Sequence, residues 1–170
     1  MMSPLPISDR FGETPDIDIH DAPLQLRRWG TDLFKLLPHA SFKRGWLIGT
    51  SSDCELRLTD HLSAPKHAQL MCDGERWWLH DLGTPQGIRR DGVPCRECLL
   101  TPGVEIGIGG TVLVVESVRT VALRSFLQRL LGWGDDRLHV VDQALRAMRQ
   151  LVAQHSPLIL RGVGDRKSVV

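Results

Sequence analysis

His67-Ala68-Gln69-Leu70-Met71-Cys72-Asp73-Gly74-Glu75-Arg76-Trp77-Trp78-Leu79-His80 decides the fold class. The first six residues read as a short strand, Asp73-Gly74 is a hairpin turn signal, and Arg76 to His80 returns. Adjacent strand residues face opposite sides, so at most one of Trp77 and Trp78 belongs to the core. Similar runs lie on either side. Leu24-Gln25-Leu26-Arg27 alternates before the Trp29-Gly30 turn, Leu33 to Leu37 runs to Pro38, and Trp46-Leu47-Ile48 stops at Gly49. Glu55-Leu56-Arg57-Leu58 and Val104-Glu105-Ile106-Gly107-Ile108 alternate, Gly109-Gly110 turns, and Val112 to Val115 closes the series. Short strands punctuated by Gly and Pro predict an all-β sandwich or barrel over residues 24–117. Each strand is expected to have one buried and one wet face.

Outside this block the patterning changes. Residues 1–23 carry four prolines, and Asp9, Glu13, Asp16, Asp18 and Asp21 outweigh Arg10, so they read as a disordered acidic leader. After Ser117 the period becomes helical. Leu123, Phe126, Leu127, Leu130 and Leu131 form one stripe, and Gly132-Trp133-Gly134 ends that helix. Asp135 or Asp136 is expected to cap a second helix. There Leu138, Val141, Leu145, Met148 and Val152 share a face until Pro157 stops propagation. Leu158-Ile159-Leu160 reads as a short buried strand followed by Gly162-Val163-Gly164.

Composition narrows the functional classes. The 170 residues include 21 Lys+Arg and 20 Asp+Glu, a net charge of +1, which gives no support to a polyanion-binding role. Four cysteines do not make a disulfide scaffold and suit a reducing, cytoplasmic setting. No apolar run has the length of a membrane span, and no secretory signal is visible.

The middle block resembles a forkhead-associated (FHA) domain over roughly ninety positions. Leu47-Ile48-Gly49, Asp53 to Leu58, His67-Ala68, Trp78 to Gly87, and Leu100 to Gly109 match five of the family's motifs in order and register. The resemblance implies an eleven-stranded SMAD/FHA-like sandwich of two sheets, followed here by two helices and a short strand. It also implies a recognition surface of loops at one end and phosphothreonine-peptide binding in signalling. A phosphate brings nearly two negative charges and several acceptor oxygens, so its site needs a cation with hydroxyl or amide donors on rigid loops.

The candidate ligand residues are Thr50, Ser51, Ser63, Lys66, Thr84 and Gln86, and the residues expected to brace the loops are Gly49, His67, Asp81, Gly83 and Gly87. The sequence departs from the family recipe. Thr50 stands where the family has arginine, Ala64 replaces the serine of the His box with Ser63 one place early, and Pro85-Gln86 replaces Thr-Asn. Asp91 replaces the next asparagine. A charge-assisted hydrogen bond contributes roughly 1.5–3 kcal/mol, so losing two weakens binding by about two to four powers of ten. Lys66, or Lys43 or Arg44, is the expected replacement cation. Where none compensates, the domain is expected to bind a partner surface without phosphate.

Other constellations point nowhere stronger. Cys95-Arg96-Glu97-Cys98 is a single C-x-x-C, whereas a closed zinc site takes four ligands, so it reads as a surface thiol pair. Cys54 and Cys72 are expected in two other strands. The seven histidines show no metal spacing, and no catalytic triad can be assembled. Residues 162–168 approach a phosphate-binding loop, but Arg161 holds the first glycine's place and Arg166 precedes Lys167. The expectation is therefore a non-enzymatic module with no cofactor, no metal, no direct nucleic-acid contact and no membrane, whose partner is a phosphothreonine-containing or other protein.

Residues 118–164 resemble the linker and opening strand of the AAA+ module in bacterial sigma-54-type transcriptional regulators, carried by Val141-Asp142-Gln143-Ala144-Leu145-Arg146 and Pro157 to Gly162. On that alternative the chain is the N-terminal fragment of an ATP-dependent regulator. Asp165 to Val170 matches the peptide a common sequencing adapter encodes, so residues 165–170 read as an artefactual tail on a truncated gene model. The stripes of the two helices are then expected to pack on the sandwich or lie partly exposed.

Overall fold

The structure is a computed structural model, and it describes residues 21–38, 45–74 and 76–154. Within these residues eleven strands form two sheets. They are β1 (Gln25–Arg28), β2 (Phe34–Leu36), β3 (Trp46–Gly49), β4 (Leu56–Arg57), β5 (Ala68–Cys72), β6 (Trp77–Asp81), β7 (Ile88–Arg90), β8 (Val93–Cys95), β9 (Glu97–Leu99), β10 (Glu105–Ile108) and β11 (Thr111–Glu116). One sheet runs β2-β1-β11-β10-β7-β8 and the other β4-β3-β5-β6-β9. Every pairing is antiparallel except β3 with β4. The leader through residue 20, Lys43, Arg44, the strand at 158–160 and the tail at 165–170 lie outside the described residues.

The hairpin that opened the sequence reading is present, with a longer connection. Cys72 pairs with Trp77, so the turn takes four residues. Asp73 organises it: its Oδ1 accepts from the Arg76 N–H at 3.2 Å and its Oδ2 from the Trp78 indole N–H at 3.1 Å. Trp77 is buried and Trp78 is not, as the strand alternation requires. The core lies between the sheets. Leu26, Ile88, Ile106, Ile108, Leu113 and Val115 meet Trp46, Ile48, Leu70, Trp77, Leu79 and Cys98.

The expectation of one wet face per strand fails on the six-stranded sheet. Gln25 and Arg27 alternate with Leu26 along β1, yet all three are buried. The cause is a pair of helices, α1 (Val118–Leu131) and α2 (Leu138–Ala153), packed over the outer face of this sheet. A capping box starts α1: the Thr120 N–H donates to Ser117 Oγ at 3.2 Å, and the Ser117 N–H donates to Thr120 Oγ1 at 2.7 Å. Gly132 ends it in the left-handed conformation (φ 62°). The expected cap of α2 is absent. Asp135 and Asp136 lie in a 3-10 turn (Asp135–Arg137) that runs into α2, and no side chain caps its N-terminus.

Helix packing here depends on charge. Arg27 is 0% exposed. Its Nε donates to Glu116 Oε1 at 2.7 Å, its Nη2 to Asp142 Oδ1 at 2.6 Å, and its Nη1 to Asp142 Oδ2 at 3.0 Å. Glu116 also accepts from Gln25 at 2.7 Å and from Arg124 Nε at 3.0 Å. Asp142 accepts the Gly30 N–H at 2.7 Å. Burial works to lower the Arg27 pKa, but the hydrogen bonds and charges of Asp142 and Glu116 outweigh it and hold the guanidinium protonated. Farther along α2, Arg146 pairs with Glu105 of β10 and lies over the Trp29 ring, and Arg149 pairs with Asp91.

These pairs also set the rotation of the helices. Arg124 is the buried residue of α1, drawn inward by Glu116. The α1 stripe is consequently largely open: Leu123, Phe126, Leu130 and Leu131 are exposed, Leu130 at 65%. On α2 the stripe is buried at Leu138 and Val141 and ends exposed at Val152. Removing one member of a buried ion pair leaves the other charge unpaired, a cost of about 3–5 kcal/mol. Asp142→Ala is expected to lose that much in urea denaturation, whereas Glu97→Ala, on an exposed pair with His80, changes stability by less than about 0.5 kcal/mol.

Candidate functional site

Three loops leave the sandwich at one end because of strand register. Ile48 pairs with Ala68 and Ala68 with Asp81, so the end of β3, the start of β5 and the end of β6 share an edge. The β10–β11 turn joins them, since Ile108 pairs with Ile88 and Thr111. The loops at 50–55, 58–67 and 82–87 are thereby gathered around residues the sequence analysis singled out.

His67 connects two of these loops from a fully buried position. The Ala64 N–H donates to its Nδ1 at 3.0 Å, so Nδ1 is the bare nitrogen and the ring N–H is on Nε2. Nε2 then faces the Gly87 carbonyl at 2.9 Å and Thr84 Oγ1 at 3.0 Å. Asp81 closes the same loop, with Oδ1 accepting from Thr84 Oγ1 at 2.8 Å and from the Thr84 N–H at 3.3 Å, and Oδ2 accepting from Arg96 at 3.2 Å. Burial raises the Asp81 carboxyl, but the Thr84 bonds and Arg96 outweigh it and hold it below the ordinary range. Gly83 and Gly87 take positive φ, 80° and 60°, where a side chain is strained. Gly49 answers a different need: a Cβ there would lie 2.2 Å from the Pro65 carbonyl oxygen.

The proposed ligand residues divide. Ser63 is buried, and its hydroxyl donates to Asp60 Oδ2 at 2.8 Å. The Thr84 hydroxyl is engaged by Asp81 and His67. Lys66 and Ser51 both bind Asp53, Lys66 at 3.0 Å. The Ser51 and Lys66 bonds hold the Asp53 carboxyl down to about 2. Thr50 is half-buried, and Gln86 is exposed at the tip of its loop. Asp91 is not in this group. It forms the β7–β8 turn with Gly92 at the far end of β7, against Glu105 and Arg149.

Two residues here went unassigned in the sequence reading. Asp60 pins the β4–β5 loop to the β10–β11 turn. It accepts the Leu62, Ser63 and Gly110 N–H groups at 3.1, 2.9 and 2.9 Å, and the Thr111 hydroxyl at 2.7 Å. Burial pushes its carboxyl up, but these donors outweigh that and keep it well below the usual range. An aspartate three residues before Ser63 is a recognisable local turn signal. Arg57 is the other. The parallel register sets it beside Gly49, and its Nε donates to the Thr50 carbonyl at 3.2 Å. In the sequence Arg57 stands only as a polar position of the alternating, motif-matching stretch Asp53 to Leu58.

The C-x-x-C pair is not a surface thiol pair: Cys95 is half-buried and Cys98 is buried. Cys95 ends β8 and Cys98 lies in β9 on the other sheet, 2% exposed. Burial pushes the Cys98 thiol up to about 11, which makes it a poor nucleophile and metal ligand at neutral pH. Cys54 sits in the β3–β4 loop, not in a strand. Among the described residues no group of three or more metal-ligating side chains forms, and no helix is long and apolar enough to cross a membrane.

This architecture is the FHA fold. A family model described as the inner membrane component of T3SS, cytoplasmic domain, matches residues 42–119. The FHA domain-containing protein FhaB of Mycolicibacterium smegmatis is 35% identical over 68 residues, 39% of this chain and 44% of the relative. FhaB of Mycobacterium tuberculosis is 34% identical over the same shares. The match thus spans less than half the length of these curated relatives. A solved structure from work on phosphothreonine-dependent FHA domain interactions is similar at TM-score 0.50 and 24% identity, over 56% of this chain and 96% of that one. Mycobacterium tuberculosis EmbR, solved with a low-affinity phosphopeptide, is similar at TM-score 0.51 and 18% identity, over 56% of this chain and 24% of EmbR.

Replacing His67 by alanine leaves the Ala64 N–H and the Gly87 carbonyl without their partner. The expected loss is about 2–4 kcal/mol in chemical denaturation. Asp60 and Asp81 are depressed in the folded state, so their stabilisation is present above the ordinary aspartate value of 3.8 and disappears as pH falls below it. Denaturation curves across that range should show an acid limb that Asp60→Asn flattens.

Proposed function

We propose that the loop end of the sandwich binds a phosphothreonine-containing segment of a partner protein, as a non-catalytic module of cytoplasmic signalling. The observation that carries this reading is the frame itself. His67, Asp81 and Asp60 fix the β4–β5 loop, the β6–β7 loop and the β10–β11 turn, so the groups at their surface are placed before a ligand arrives. The match to FhaB and the FHA fold support it. Residues 118–154 attach to the outer face of the six-stranded sheet, on the side away from the core. That suits an element linking the domain to an output module, and the regulatory reading of a sigma-54-type front end rests on Val141 to Arg146 within it.

A second reading, binding without phosphate, is favoured by a specific observation. Lys66 is neutralised by Asp53, and the Ser63 and Thr84 hydroxyls are occupied within the protein. Calorimetry of the full chain with a phosphothreonine peptide library and its unphosphorylated twin separates the two. The expected result is binding of the phosphorylated set alone, in the micromolar range. Equal heats from both sets would establish the phosphate-independent mode, and no heat from either would remove both.

A further inference from the structure

Beside Thr50 lies an open polar depression of about 400 Å³, formed by the β3–β4 and β4–β5 connections. Arg57, Thr50, Thr59 and His61 line it. Arg57 has exposed side-chain atoms, and no carboxylate lies within ion-pair distance of it among the described residues. Its Nε is anchored on the Thr50 carbonyl, which leaves the two terminal nitrogens, with four N–H donors, unengaged. The side chains of Thr59 and His61 have no hydrogen-bond partner among the described residues. Asp60 also borders the depression as an ionised carboxylate, but five neutral donors occupy its two oxygens and point them to the β4–β5 loop and the β10–β11 turn.

The walls are fixed from below. The Leu58 N–H donates to the Gly49 carbonyl at 2.7 Å, and the Thr50 N–H to the Ala64 carbonyl at 3.1 Å. Ser63 is tied to Asp60 and to the Ile108 carbonyl. A planar guanidinium held at Nε, with hydroxyl and imidazole groups around it on a braced frame, is a donor set for a tetrahedral dianion. Lys66 offers no equivalent: it is a point charge already paired with Asp53.

We propose that Arg57 supplies the cation that seats the phosphate of a phosphothreonine ligand in this depression, with Thr50, Thr59 and His61 completing the donor set. The inference rests on the phosphopeptide reading above and names the residues that make it work. The phosphate is then held from β4, by a guanidinium anchored on Thr50.

The test is calorimetry on the full chain with the tightest phosphothreonine peptide from the library and its unphosphorylated twin. Parent, Arg57→Ala, Arg57→Lys and Lys66→Ala proteins are compared. Arg57→Ala is expected to weaken phosphopeptide binding at least tenfold with no change for the twin. Arg57→Lys should fall between parent and Arg57→Ala, and Lys66→Ala should stay within twofold of the parent. Thermal melts confirm that each variant is folded, as expected for exposed side chains. In parallel, amide shifts on adding inorganic phosphate should be largest at 50, 57, 59 and 61. A parent that does not distinguish the twins overturns the phosphopeptide reading and this inference together. A parent that does, with Arg57→Ala still binding at full strength or Lys66→Ala carrying the loss, overturns the Arg57 assignment alone.

Discussion

Arg27 sits beyond the reach of water, between Glu116 of its own sheet and Asp142 of α2, and the outer face of the six-stranded sheet is organised around its charge. A buried guanidinium is tolerable only when its donors are met, because desolvation costs several kcal/mol per ion. Here Glu116, Asp142 and the Thr31 carbonyl meet them, and Glu116 recruits Arg124 and Gln25 in turn. The network requires α1 and α2 to stand where they do. It also explains why α1 turns Arg124 inward and leaves Phe126 and Leu130 in water. Hydrophobic matching is non-directional and permits several helix rotations. A bidentate carboxylate–guanidinium pair permits far fewer.

The two ends of the molecule use polar groups differently. On the helix-covered face, charges hold one layer to another. At the loop end, His67, Asp81 and Asp60 act on the backbone, satisfying N–H and carbonyl groups that loops would otherwise present to water. Asp60 joins the β4–β5 loop to the β10–β11 turn across about fifty residues of sequence. That internal use has a consequence for recognition. Ser63 and Thr84 hold the frame, so the free donors lie elsewhere, on Thr50, Arg57, Thr59 and His61.

Much of this was legible beforehand because it follows from local chemistry. The alternation around Asp73-Gly74 located β5 and β6, and the five matched motifs implied two sheets and a loop surface at one end. The sequence reading of His67 and Asp81 as loop braces is local too; in the structure His67 and Asp81 reach backbone and hydroxyl groups of those loops, and Asp81 also reaches Arg96. Other readings failed for nameable reasons. Asp135 and Asp136 had cap chemistry, but the chain makes a 3-10 turn there before α2 starts. The C-x-x-C spacing said nothing about β8 and β9 belonging to different sheets, which carries Cys98 into the core. Asp91 was aligned with a ligand-side asparagine, whereas strand length carries it to the opposite end of β7.

By itself the sequence determined the period of each segment, the turns, and the residue types available at the loops. These depend on neighbours within a few positions, where backbone sterics and side-chain volume decide. Only the tertiary structure decided which polar residues face water. Arg27 reads as the wet half of β1 until α2 brings Asp142 across 115 residues to meet it. Arg57 and Lys66 are equivalent cations on paper until packing pairs Lys66 with Asp53 and leaves Arg57 open beside Thr50. A charge acts through what lies within a few ångströms of it, and for this chain those distances are set by strand register and helix packing.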